Sequence, residues 1–137
     1  MKKNSFGKIV NISSVGGGIN VFPGFNIADG MSKAAIAFMT KQMAAESIYD
    51  KVEIFAVCPG ATDTDMFRAS TLDSLTETQK AELTHSLPKE ELINPDQIAD
   101  VVRFLCTDEA KILHGAVIDA SNGLGVNPSA LYKRRES

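Results

Sequence analysis

The sequence predicts an α/β protein with a parallel sheet, and two observations support that prediction. Short β-branched runs at residues 7–12, 52–57 and 116–120 have the length and composition of strands. Segments of helical periodicity lie between them, at about residues 30–49 and from residue 94 onward. Because strand, helix and strand in succession are joined by right-handed crossovers, the three strands should lie side by side and parallel.

The composition is that of a single globular domain, and it argues against several classes of partner. Of the 137 residues, 44% are hydrophobic and 23% charged, and the net charge is −3. This mild acidity makes a nucleic-acid groove or an anionic membrane surface an unlikely function. No apolar run approaches the roughly 18 residues of a membrane span, and the first ten residues lack the apolar core of a signal peptide.

Cysteine and histidine usage indicates a reducing, cytoplasmic setting without a metal site. Cys58 and Cys106 are far apart and show no disulfide-framework spacing. Both fall on apolar segments and are predicted to be core thiols. His85 and His114 have no metal-ligand spacing with either cysteine, so no metal is expected.

The individual elements follow from local patterns. The run "GKIVNI" leads into the loop "SSVGGGINVFPG", which is rich in Gly, Ser, Asn and Pro. Apolar residues cover well over half the circumference of the helix predicted at about 30–49, so this helix should be buried on two sides. The second strand, "VEIFAV", is closed by Cys58-Pro59-Gly60, and residues 61–93 are polar and weakly helical. Asn94, Pro95 and Gln97 have the pattern of an N-cap, a first-turn proline and a capping box.

Five segments, in this order, resemble the C-terminal half of the short-chain dehydrogenase/reductase family. They are "GKIVNISS", "MSKAAIAFMTKQMAAE", "VCPGATDTDM", "NPDQIADVVRFLCTDEA" and "HGAVIDASNG". The resemblance runs over about residues 6–126 and implies a partial Rossmann-type, doubly wound parallel sheet. The chain, a single domain over 1–137, would supply the fifth, sixth and seventh strands of that fold.

The resemblance also implies a reaction. The family uses a tyrosine four residues before a lysine on one helix, and the lysine charge lowers the phenol pKa so that the phenol can exchange a proton with substrate. A serine at the end of the preceding strand binds the same substrate oxygen. Here Lys33 matches the lysine, and Ser14 matches the serine with Ser13 as an adjacent contender. The tyrosine position is occupied by Asp29.

Aspartate is a poor replacement for that tyrosine. A carboxylate beside Lys33 is ionised near neutrality, has no proton to donate, and is shorter than a phenol. A related reductase subgroup places its tyrosine seven residues before the lysine, but that position is Asn26. Tyr49 lies at the far end of the helix and Tyr132 in the C-terminal tail, so neither is expected to substitute.

The cofactor implied by the resemblance is NAD or NADP. In the family, Pro59 and Gly60 turn the chain over the nicotinamide, with the Thr62 backbone and the Thr64 hydroxyl near its carboxamide, while Lys33 contacts the ribose. The glycines at 16–18 do not open a βαβ unit and are interpreted as part of an active-site loop. Because the glycine-rich pyrophosphate turn is missing, this chain alone is not expected to bind a dinucleotide well.

Other features have simpler interpretations that stay open. Ser14 could merely cap the loop after its strand. Lys33 could simply form an i,i+4 ion pair with Asp29, worth a few tenths of a kcal/mol. Residues 65–93 correspond to the family's substrate lid and resemble a mobile, amphipathic cover.

The resemblance further implies that the chain is not a stable monomer. Residues 7–12 match an interior strand of the family sheet, which here lacks one neighbour, and an apolar strand edge invites association. The helix at 31–49 lies where the family forms a dimer contact. The partner would be a second copy or a more complete chain of the same fold. Three hypotheses follow: an associating, catalytically impaired subunit or remnant, one half of a split oxidoreductase, or part of a longer NAD(P)-dependent oxidoreductase.

Overall fold

The computed structural model of the chain describes residues 1–127 and confirms the α/β class with a parallel sheet. Strands β1 (Gly7–Ile12), β2 (Val52–Pro59) and β3 (Val117–Ala120) form one sheet in the order β1-β2-β3. Both pairs of strands are parallel, with Ile9 opposite Ile54 and Val57 opposite Ile118.

Three α-helices accompany the sheet: α1 (Ile27–Glu46), α2 (Glu77–Ser86) and α3 (Pro95–Leu105). Shorter helical turns occupy Lys2–Asn4, Val15–Gly18, Asp65–Phe67, Arg68–Leu72, Pro88–Glu90 and Asp108–Leu113. The predicted capping box of α3 is confirmed. The Asn94 side chain accepts a hydrogen bond from a backbone N–H of the first turn, and the Gln97 side chain accepts one from the Asn94 N–H at 2.9 Å.

Helix α1 begins three residues earlier than the prediction of about residue 30. The Oδ1 atom of Asn26 accepts hydrogen bonds from the N–H groups of Ala28 at 2.9 Å and Asp29 at 3.2 Å. An asparagine cap of this kind satisfies the first free N–H groups of a helix and so fixes its start. The apolar pattern that predicts a later start is interrupted in this first turn by Asp29 and Gly30.

The core lies on both faces of the sheet. On one face, β2 packs against α3 and the turn that follows it, through the buried residues Phe55, Val57, Leu105 and Ala110. On the other face, β2 packs against α1 through the buried residues Ala44, Val52 and Ile54. Residues Phe55 to Cys58 of β2 are fully buried, as expected for a strand with a neighbour on each side.

Strand β1 carries a charged side chain that points into the protein. Lys8 has a side chain only 7% exposed, and its Nζ lies 3.0 Å from Glu53 Oε2 on the neighbouring strand. The same Nζ donates a hydrogen bond to the Thr107 carbonyl at 3.0 Å. The buried ammonium therefore has both a counter-ion and a second acceptor, which its desolvation requires.

Helix α1 is buried on one face only, so the prediction of burial on two sides is wrong for the described chain. Its buried residues are Ala37, Thr40 and Ala44. Met31 and Phe38, on the opposite face, are 68% and 71% exposed. Helix α1 therefore has more apolar surface than the rest of residues 1–127 buries.

Two further predictions need correction. Helix α2, within the lid-like segment, has no buried residue, so it does not pack as an amphipathic cover on the rest of the protein. Cys58 is buried as predicted, but Cys106 is exposed because it lies just beyond the last turn of α3.

An unpaired edge of the sheet lies at β1 in the described chain. Among residues 1–127, β1 pairs with β2 and with no other strand, so its second edge is open. No helix of this region has the length and apolarity needed to cross a membrane.

Candidate active site

The carboxyl ends of β1 and β2 bring the predicted site residues to one edge of the sheet. Ser13 and Ser14 follow β1 directly, and Pro59 and Gly60 close β2. Helix α1 begins beside the same edge, because the loop after β1 leads into it, and Lys33 lies in its second turn. The carboxyl edge of a parallel sheet is where such folds place their ligands.

Ser13 and Ser14 differ in what their hydroxyl groups do. Ser13 is 3% exposed, its N–H donates to Val57 O at 2.8 Å, and its hydroxyl donates to the Lys33 carbonyl at 2.7 Å. Ser14 is half-buried, and its Oγ accepts a hydrogen bond from the Gly16 N–H at 3.2 Å. In the described chain the Ser14 O–H has no acceptor, so Ser14 is the serine able to bind an outside oxygen. The loop-capping interpretation of Ser14 holds at the same time, through the bond from Gly16.

Two of the three glycines at 16–18, Gly17 and Gly18, are required by close packing against α1 and β2. Gly17 has φ +90°, and a Cβ there would lie 2.2 Å from the Gly30 carbonyl oxygen. A Cβ at Gly18 would lie 2.7 Å from both Cys58 Sγ and Ser13 Oγ. These glycines let the site loop approach the helix that carries Lys33, which agrees with their interpretation as part of a site loop.

Asp29 lies in the first turn of α1 and takes part in the helix start. Its N–H donates to Asn26 Oδ1, and its carbonyl accepts a hydrogen bond from Ser32 Oγ at 2.7 Å. The expected ion pair between Asp29 and Lys33 is wrong, because neither residue belongs to an ion pair in the described chain. Asp29 is exposed, and Lys33 is half-buried.

No tyrosine of the described chain approaches this position. Asn26, seven residues before Lys33, is the helix cap. Tyr49 follows α1 at its far end and is fully exposed. Tyr132 lies outside the described residues.

The loop after β2 is held in place at both of its ends. Gly60 packs against the chain after β3, since a Cβ on Gly60 would lie 3.0 Å from Ser121 Cα. Thr62 pairs with Ile93, and its hydroxyl donates to the Gly60 carbonyl at 3.0 Å. Thr64 caps the next turn, because its hydroxyl accepts a hydrogen bond from the Phe67 N–H at 3.2 Å. Contacts within the chain therefore define the shape of the loop.

This loop fits one end of a nicotinamide cofactor. Within residues 1–127 the Thr62 N–H has no hydrogen-bond acceptor, so it is available to a carboxamide oxygen, as the resemblance implies. The Thr64 hydroxyl can still donate, since its capping bond uses only the oxygen lone pair. The glycines at 16–18, between β1 and α1, pack against Gly30 and Cys58 and do not form a pyrophosphate turn, so the described residues fit the nicotinamide end alone.

An ion pair connects this loop to the start of the lid-like segment. Arg68 Nε and the second guanidinium nitrogen donate to the two carboxylate oxygens of Asp63 at 2.7 and 2.8 Å. The hydrogen bond from Arg68 lowers the pKa of the Asp63 carboxyl, and the Arg68 charge acts in the same direction. Both residues are largely exposed, so the pair orients the segment more than it stabilises the fold.

Sequence reasoning missed two features that shape the site. Burial raises the pKa of the Cys58 thiol, which lies beneath Gly18 beside Ser13. The turn after β3 is tied to the site loop, because Leu124 forms a buried cluster with Val15 and Phe22, and the Asn20 side chain donates to the Gly125 carbonyl. The second link joins residues more than 100 positions apart, and no local pattern signals it.

The described residues contain no group of three or more His, Cys, Asp or Glu side chains placed to hold a metal ion.

A family model described as enoyl-(acyl carrier protein) reductase matches residues 1–125. Acetoacetyl-CoA reductase of Shinella zoogloeoides is 36% identical over 123 residues, which make up 90% of this chain and 48% of the relative. The 3-oxoacyl-[acyl-carrier-protein] reductase MabA of Mycobacterium tuberculosis is 33% identical over 126 residues, 92% of this chain and 48% of the relative.

Solved structures that resemble this chain also match it over about half of their own length. A variant of actinorhodin polyketide ketoreductase with NADPH superposes with a TM-score of 0.80 at 25% identity, over 90% of this chain and 49% of that one. ElxO with NADP bound gives a TM-score of 0.77 at 28% identity, over 90% and 48%. This chain spans about half the length of the relatives that it matches.

Proposed function

The chain belongs to the short-chain dehydrogenase/reductase family, and from that membership we propose that it is a catalytically impaired member that acts by associating with another chain. The observation that carries the proposal is Asp29 at the position of the family's tyrosine. Ser14, which follows β1, and Lys33, on α1, lie on consecutive elements at the same edge of the sheet and support a site there.

The impairment follows from what Asp29 can and cannot do. An ionised carboxylate accepts hydrogen bonds but has no proton to give to a substrate oxygen. The residue is exposed in the first turn of α1, and its main chain is held by Asn26 and Ser32. A negative charge in this first turn interacts favourably with the helix dipole.

Association is supported by two uncovered surfaces. In the described chain the second edge of β1 is unpaired, and open strand edges recruit further strands. The exposed face of α1 carries Met31 and Phe38. Burying one such phenylalanine is worth about 1.5–3 kcal/mol, so a partner that covers this face gains stability.

A second candidate function is half of an NAD(P)-dependent oxidoreductase that reduces carbonyls or oxidises alcohols. A partner chain or a longer gene product would then supply the nucleotide half and a proton donor. The free Ser14 O–H and Thr62 N–H favour this candidate, because both are unused in the described chain and suited to a substrate and a carboxamide. In that setting Ser14 orients the substrate oxygen, and Lys33 contacts the cofactor ribose.

Native mass measurement of the purified chain, with and without NAD(P)H, separates the candidates. The first predicts a dimer or higher species that carries no nucleotide. The second predicts a stoichiometric nucleotide adduct once the completing half is present. A monomer in the absence and presence of nucleotide would contradict association with a second copy.

A pair of variants tests the proposed surface. Phe38→Lys places a charge in the centre of the exposed α1 face and should shift the mass to monomer. Thr78→Lys adds the same charge at an exposed position of α2 and should leave the mass distribution unchanged. If both variants associate like the parent chain, the α1 face is not the contact.

A further inference from the structure

The turn that follows β3 contains the only Asn-Gly pair of the sequence, Asn122-Gly123. We propose that Asn122 is a site of spontaneous deamidation, at which the folded chain slowly converts an amide into a carboxylate. Asparagine is among the residues whose side chains are chemically labile over time. A following glycine favours the reaction, because it has no side chain to hinder the attacking backbone nitrogen.

The reaction needs only solvent. The backbone nitrogen of Gly123 loses its proton to hydroxide and attacks Cγ of Asn122. A new N–Cγ bond forms, the Cγ–Nδ2 bond breaks, and the nitrogen leaves as ammonia after taking a proton from water. Water then opens the five-membered ring at either carbonyl, which gives aspartate or isoaspartate.

The local structure leaves the reacting groups available. The Gly123 N–H has no hydrogen-bond acceptor in the described chain, whereas its carbonyl accepts from Val126 and Asn127. Asn122 is half-buried with φ 59°, a left-handed conformation that a non-glycine residue holds at a cost. Its amide Nδ2 is bound only by a long contact of 3.5 Å to Glu91 Oε1.

The product would disturb the contact between this turn and the end of the lid-like segment. A carboxylate at residue 122 has no proton for Glu91 and repels it, since the two groups now carry like charges. The neighbouring residues of the turn hold the site loop, through Leu124 on Val15 and Gly125 on Asn20. An isoaspartate also adds one methylene to the main chain, which changes the length of that turn.

Two other asparagines provide internal controls. Asn94 and Asn127 precede Pro95 and Pro128, and a proline nitrogen has no proton to lose and cannot close the ring. The full chain is incubated folded in mildly alkaline and mildly acidic buffer, and in parallel in urea. Peptide mass mapping then follows the amide-to-acid change at each asparagine, with isoaspartate detected by its methyltransferase.

The proposal predicts that Asn122 of the folded chain converts to a mixture of aspartate and isoaspartate, faster in alkaline buffer, while Asn94 and Asn127 keep their amides. An Asn122 that keeps its amide in the folded chain overturns the proposal. The urea sample then shows whether the fold is what protects it.

The consequence is tested with Asn122→Asp, which carries the product charge without the altered main chain. This variant should melt at a lower temperature than the parent, and adding Glu91→Gln should restore part of the loss. An equal loss with and without Glu91 would show that repulsion between these two carboxylates is not the cause.

Discussion

At the scale of single residues, Asn26 and Asp29 both contribute to the start of α1, and they occupy the two positions where the resemblance implies a tyrosine. One caps α1 and the other is in its first turn, where an acidic side chain interacts favourably with the helix dipole by about 0.3–1 kcal/mol. Both positions at which the family or its subgroup places a tyrosine are therefore occupied by residues that favour the helix start.

Restoring the phenol should not restore turnover. Asp29→Tyr in this chain alone is expected to give no measurable NAD(P)H oxidation with carbonyl substrates, because the described residues fit only the nicotinamide end of the cofactor. The measurement is the initial rate by absorbance, with Asp29→Phe as a control of similar size that lacks the hydroxyl. A clear gain of activity in the tyrosine variant alone would refute the half-site interpretation.

Removing the cap of α1 should reduce stability. Asn26→Ala loses both side-chain bonds to the first turn and is expected to lower the free energy of unfolding by about 1 kcal/mol. Urea denaturation at fixed protein concentration measures the change. Asn4→Ala is the matched control, since Asn4 is exposed and its side chain makes no hydrogen bond in the described chain; its effect should stay within about 0.5 kcal/mol. Equal effects of the two substitutions would show that the cap is unimportant.

At the scale of elements, the lid-like segment is held by its ends. The Asp63–Arg68 ion pair orients its start, and the pairing of Ile93 with Thr62 fixes its end. Helix α2 between them has no buried residue. Helix α2 therefore opens locally at low cost, because opening exposes little buried apolar surface.

Acid should loosen the start of this segment first. Arg68 lowers the pKa of Asp63, so the contribution of the pair is present above the carboxyl's ordinary pKa. It is lost as the pH falls below about 4, through the lower pKa of the folded state. Amide exchange at residues 65–72 should rise over that range relative to exchange in α3. Asp63→Asn should show the raised exchange already at neutral pH; if the variant exchanges like the parent, the ion pair does not hold the segment.

The elements show which features local sequence can predict. The strands and the caps of α3 were predicted because β-branched runs and capping residues act within a few positions. The start of α1 differs from the prediction because the apolar pattern begins after the true first turn. Asn26 is a weak sequence signal for a cap, since no glutamate or glutamine follows it three residues later. The exposure of Cys106 was missed because periodicity does not show where the last turn of α3 ends.

At the scale of the whole molecule, the site is only partly contained in the sequence pattern. Ser14, Lys33 and the loop at 59–64 were placed by resemblance, and the structure brings them to one edge of the sheet. The commitment of the Ser13 hydroxyl to Lys33, and the bond from Asn20 to Gly125, were not predictable, because both join distant residues through backbone carbonyls. Because every residue has a backbone carbonyl, residue type does not show which carbonyl accepts a hydrogen bond.

If the uncovered surfaces are filled by another copy, stability should depend on concentration. The midpoint of thermal unfolding is expected to rise with protein concentration, because association favours the folded state by mass action. Calorimetry over a wide dilution range measures this shift, and Phe38→Lys should abolish it. A midpoint that is independent of concentration in the parent chain would contradict a self-association model.

The ammonium of Lys8 has one further consequence. It is opposite Glu53 across the sheet, and sliding β1 by a single position along β2 would strand both charges in the interior, at a cost of several kcal/mol. The ion pair thus fixes the register of β1 and β2 independently of any partner chain. A chain that docks on the free side of β1 meets a rigid template and has to adapt its own position to it.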